Sequence, residues 1–92
     1  MTEFLGELYV SRESGEAVKR DEDRVREAAA QLTREGEHVR LVRTIFVPED
    51  ETCFYLFEAG SAGAVREVGA RAALPFDRVC GSWSRPDARD AQ

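Results

Sequence analysis

The spacing of hydrophobic and polar positions changes several times along the chain, and each change marks an element. Glu3 to Val10 alternates, with Phe4, Leu8 and Val10 on one side and Leu5, Glu7 and Tyr9 on the other, which predicts a first strand with an acidic residue set into one face. The polar stretch Ser11 to Gly15 suits a turn and a helix start. From Glu16 the period lengthens. Val18, Val25, Ala28, Ala29 and Leu32 share one stripe at helical spacing, and Gly36 stands where a left-handed residue commonly ends a helix. Val39 to Val47 predicts a second strand, and Pro48, Glu49, Asp50 and Glu51 turn it into a hairpin, because proline pre-sets the backbone angle and acidic side chains bond the backbone of a turn. The return strand, Thr52 to Glu58, carries Cys53, Tyr55 and Phe57 on one face and Phe54 and Leu56 on the other. A strand apolar on both faces must be covered on both. Gly60 breaks it and Ser61 is placed to cap a second helix, marked by Val65, Val68, Gly69 and Ala72. A glycine inside that stripe costs helix stability, so Gly69 is read as a point of close backbone approach to the sheet. Leu74 and Pro75 stop the helix, Phe76 to Gly81 makes a last short strand, and Ser84 to Gln92 reads as a flexible tail.

The element order is β-α-β-β-α-β, the pattern of an α+β, ferredoxin-like sandwich with both helices on one face of an antiparallel four-stranded sheet. Right-handed crossovers give the strand order four, one, three, two. With 92 residues the chain makes one domain, taken as residues 1–83, followed by the tail, 84–92. This layout leaves one sheet face uncovered. Its economical partner is a second copy of the same chain, and the expectation is a homodimer with the two sheets packed face to face in a barrel-like arrangement.

Charge and cysteine usage narrow the function classes. The formal net charge is -5 and charged residues make up 34% of the chain, without a basic stripe, which argues against nucleic acid and anionic lipid as partners. The apolar runs are too short to cross a membrane and Met1 leads into a strand rather than a signal peptide, so the expected location is the cytoplasm. Cys53 and Cys80 show no C-x-x-C spacing and read first as small buried hydrophobes. No G-x-S-x-G, P-loop or dinucleotide-binding glycine motif occurs.

Two constellations remain. Glu7, Tyr9, Cys53 and Tyr55 are expected to gather on the uncovered face, with Glu49 and Glu51 on the nearby turn. They read either as a metal or small-ligand site at a dimer interface or as an interface core in which tyrosine hydroxyls satisfy a buried glutamate. His38, with Glu58 and Cys80, is a second grouping, against which stands the ordinary surface histidine. Should the fold host an enzyme, Glu7, Tyr9, His38 and Tyr55 carry the groups for acid/base work.

Phe46 to Ala59, Val65 to Glu67 and Arg71 to Val79 together resemble a small actinobacterial family with a ferredoxin-like fold, long treated as a domain of unknown function, one class of which is nickel-binding and dimeric. The resemblance spans about Glu3 to Val79. It implies a small dimeric binding protein with nickel or another transition metal as ligand. Val68 and Tyr55 stand where relatives often carry histidine and cysteine, so a site in this chain is expected to draw on two subunits. Cys53 would be the sulfur donor, Glu7 or Glu51 oxygen donors, and His38 the remaining candidate. The alternative is a dimeric α+β-barrel small-molecule binder or a cofactor-free monooxygenase-like enzyme.

Overall fold

The computed structural model describes residues 2–85. In chain order it holds β1 (Thr2–Tyr9), α1 (Gly15–Arg34), β2 (Val39–Val47), β3 (Thr52–Ala59), α2 (Ala62–Arg71) and β4 (Arg78–Ser82), with short 3-10 turns at Arg12–Ser14 and Pro48–Asp50. The strands form one sheet in the order β2-β3-β1-β4 and every neighbouring pair is antiparallel. This is the α+β, ferredoxin-like arrangement expected from the pattern.

Helix α1 forms because its apolar stripe finds the sheet: Val25, Ala28, Ala29 and Leu32 are buried against it. The chain leaves the helix at Gly36, where φ is 102°, a conformation glycine adopts without steric cost. The Ser61 side chain accepts from the Ala64 amide at 3.1 Å, capping α2 as expected. At the hairpin tip Glu51 adopts a left-handed φ of 49° and its amide donates to the Pro48 carbonyl, closing the turn.

Strand β4 begins at Arg78, later than the sequence pattern placed it. Phe76 lies outside the strand because its ring is drawn under α2. It sits between two glycines: a Cβ on Gly6 would lie 3.1 Å from that ring, and one on Gly69 3.0 Å from it and 2.9 Å from the Leu74 carbonyl oxygen. The close approach at Gly69 is therefore to Phe76 and the helix-ending turn rather than to the sheet itself. The ring also packs on Tyr55 and Phe57, at centroid distances of 5.4 and 5.8 Å.

Strand β2 contains an irregularity between Leu41 and Arg43. A bulge reverses side-chain parity. Val39 and Leu41 are buried before it, and beyond it Phe46 packs on the core while Ile45 is exposed. The shortest dimension is 20 Å, the thickness of one sheet plus one helix layer, so among the described residues no third layer covers the far face. After β4, the Ser84 hydroxyl donates to the Glu3 carboxylate at 2.7 Å, tying the start of the predicted tail back to β1. The rest of that tail, 86–92, lies outside the described residues.

Candidate functional site

Register decides which candidates meet. Leu8 pairs with Cys53, Gly6 with Tyr55 and Phe4 with Phe57, while Glu7 pairs with Phe54 and Tyr9 with Thr52. Directly paired residues share a face. Cys53, Tyr55 and Phe57 therefore lie beneath the helices, fully buried, and Glu7 and Tyr9 lie on the opposite, uncovered face. The grouping of Glu7, Tyr9, Cys53 and Tyr55 expected from the sequence is corrected: the sheet separates it into two pairs. The pattern showed which residues alternate within each strand, but not which face of β1 matches which face of β3.

The second grouping also separates. His38 precedes β2 at one edge of the sheet and is exposed, and its carbonyl accepts from the Gly60 amide at 3.3 Å. Cys80 lies in β4 at the other edge, paired with Leu5. Glu58 accepts from Arg40 at 2.7 Å instead of facing an imidazole. The four groups named for acid/base work are accordingly spread over the core, the open face and a sheet edge.

Each proposed metal ligand has a local role. The Glu51 carboxylate accepts from the Arg12 amide at 3.0 Å and from the Tyr9 hydroxyl at 3.5 Å, holding the hairpin tip to the chain entering α1. Glu7 lies 3.7 Å from its cross-strand partner Arg78. Burial pushes the Cys53 thiol up, a shift the neighbouring Tyr55 hydroxyl partly offsets and the charges of Asp21 and Glu22 reinforce. A raised thiol resists forming the thiolate that a soft metal needs. Among the described residues no group of three or more histidine, cysteine or acidic side chains is arranged to hold a metal ion. Cys53, Glu7, Glu51 and His38 do not fit a nickel ion as one ligand set within a subunit.

What the geometry does assemble is the open face. Leu5, Phe54 and Leu56 form its centre, flanked by Ile45, Val47 and Tyr9, and Tyr9 and Ile45 are 64% and 45% exposed. Charges surround it: Arg43 beside Leu56 and Arg40 with Glu58 toward β2, Glu3 next to Glu58, and Glu7 with Arg78 toward β4. Trp83, directly after β4, is 84% exposed. Sequence reasoning passed over Asp21, which is the one charged residue counted as buried among those described. Its signal was an acidic residue lying between Val18 and Val25 on the helical stripe.

Among the described residues no helix is long and apolar enough to cross a membrane. No family model matches the sequence, and no curated protein matches it. Among solved structures, the crystal structure of SCO4226 from Streptomyces coelicolor A3(2) is similar, with a TM-score of 0.72 at 18% sequence identity, covering 91% of this chain and 99% of that one. At that identity the likeness shows the fold, a ferredoxin-like α+β domain, and nothing more specific.

Proposed function

We propose that this chain is a small homodimeric binding protein whose two subunits join through the uncovered faces of their sheets. The observation that carries the reading is the apolar band of Leu5, Phe54, Leu56, Ile45 and Val47 on a sheet that, among the described residues, has helices on one side only. Arg43 and Glu7 border this band as the cross-strand partners of Leu56 and Phe54, and a soluble protein rarely leaves an apolar patch framed in this way in water. The rim supports a second copy as the occupant: it carries both signs of charge, arginines at 40, 43 and 78 and glutamates at 3, 7 and 58, so two copies can oppose unlike charges around an apolar centre. A net charge of -5 fits a soluble setting, which we take to be the cytoplasm.

Nickel enters this proposal only across the two-fold axis. Glu7 lies on the face that pairing would bring to its symmetry mate, whereas Cys53 is on the other side of its own sheet. A metal held there would rest on carboxylate oxygens, a weak set for nickel. Metal analysis of untagged protein checks this point: the expected nickel content is far below one ion per chain, and stoichiometric nickel would contradict it.

The dimer is tested with Leu56→Arg. The variant should halve the mass measured by analytical ultracentrifugation while keeping the wild-type circular dichroism, since Leu56 is on the uncovered side. A variant that stays as associated as the wild type rules out this face.

A further inference from the structure

The helix side of the sheet carries a feature that the dimer would not use. Where β1 ends, an open cleft of about 470 Å³ lies between the first turns of α1 and the segment joining α2 to β4, walled on its apolar side by Leu8, Val10, Leu74 and Pro75, with Tyr9, Ser11, Ser14 and Asp21 as its polar lining. That volume falls within the range of small-molecule sites, about 300–1,000 Å³. Asp21 is 8% exposed. Arg24 supplies the opposite charge at 3.9 Å, beyond hydrogen-bond reach, while its guanidinium donates to the Ala72 carbonyl. The carboxylate thus has its charge answered, accepts no hydrogen bond from the described residues, and keeps an edge open to the cleft, its side chain being 12% exposed.

Two further titratable groups lie nearby. Behind the wall, Cys53 is the strand partner of Leu8, and the fully buried Tyr55 hydroxyl has the Cys53 thiol beside it. Burial keeps both protonated, and the charge of Asp21 adds to that effect. Buried polar groups in native proteins are almost always satisfied, by protein, by water or by a ligand. A full cation is the wrong ligand here, because Arg24 already answers the charge. An anion would face the carboxylate. What the cleft lacks is a directional donor attached to an apolar body.

We propose that this cleft binds a small, uncharged, largely apolar molecule that donates one hydrogen bond, from a hydroxyl or an N–H, to the carboxylate of Asp21. The apolar walls hold the body of the ligand and the buried acid fixes its orientation.

Phenol and toluene make the matched probes, alike in shape and differing in the donor. In amide-resolved NMR titrations of the full chain, phenol should shift Leu8, Val10, Ala17, Asp21 and Leu74 saturably. Toluene should bind about tenfold more weakly or less, the scale of a hydrogen bond to a charged acceptor. Asp21→Leu, similar in size and apolar, should lose about the same factor for phenol and little for toluene. Equal binding of the two probes, shifts confined to other regions, or undiminished phenol binding by Asp21→Leu would each overturn the assignment. If Asp21→Leu does not fold, the two probes on the wild type still decide. Asp21 and the apolar wall of the cleft lie on the helix side of the sheet, and only Tyr9 belongs both to its lining and to the flank of the proposed dimer face, so the Asp21 comparison reads the cleft whether the protein proves monomeric or dimeric.

Discussion

Gly69 shows how one missing side chain organises a neighbourhood. In a helix interior, replacing glycine by alanine ordinarily stabilises by about 1 kcal/mol. Here the added Cβ would lie 2.9 Å from the Leu74 carbonyl oxygen and 3.0 Å from the Phe76 ring. Backbone cannot step aside as a flexible side chain can, so overpacking, which costs about 1–3 kcal/mol, should outweigh propensity. Chemical denaturation of Gly69→Ala is expected to show a net loss of stability; a gain would mean that the turn after α2 is softer than its geometry implies. Cys53 and Tyr55 make a second statement at this scale. Burial raises both above their ordinary values, so the folded state keeps protons that the unfolded chain releases. Their contribution is fully present below the unfolded thiol's pKa near 9.0 and is lost as pH rises from there toward the folded values. The slope is at most about 1.4 kcal/mol per pH unit for each group. Stability measured from neutral pH upward should fall more gently in Cys53→Ala than in the wild type. Parallel profiles would show that the thiol titrates as freely in the folded protein as in the unfolded one.

The elements were legible in the sequence where a single rule governed them. The stripe from Val18 to Leu32, the serine cap at Ser61 and the proline-led turn after Val47 each specify local geometry through nearby residues, and each element is present. What was not legible depends on pairing. Whether Cys53 sits above or below the sheet is fixed by its pairing with Leu8 rather than Glu7, and a one-residue slip exchanges the faces. Strand β2 hides its faces in a related way: its bulge reverses parity midway, so no single alternation describes the run from Val39 to Val47 although each half alternates. Phe76 was read into β4 because it continues the apolar run, whereas its ring fills the gap left by Gly6 and Gly69. The hairpin offers a test at this scale. Pro48 has no amide to donate and opens the 3-10 turn whose closing bond runs from the Glu51 amide to its carbonyl, which alanine keeps. Pro48→Ala should cost only about 0.4–1 kcal/mol, through the freedom gained by the unfolded chain, when thermal or denaturant unfolding is compared. A several-fold larger loss would place Pro48 in a site rather than a turn.

At the scale of the molecule, the decisive fact is a two-layer body 20 Å thick with side chains of both sheet faces largely apolar at β3. One face is answered by α1 and α2. The other is answered, in this account, by a second copy. Register moves the residues that test this by one position from those the sequence suggested: a charge at Tyr55 or Phe57, both fully buried under the helices, should unfold the chain, and only a charge at Phe54 or Leu56 should separate subunits. The contrast between neighbours on one strand distinguishes an interface from a core. The most direct measurement needs no variant. Light scattering coupled to size-exclusion chromatography on the untagged full chain, at concentrations down to the low micromolar, should give twice the mass of one chain; the mass of a single chain throughout would contradict the account.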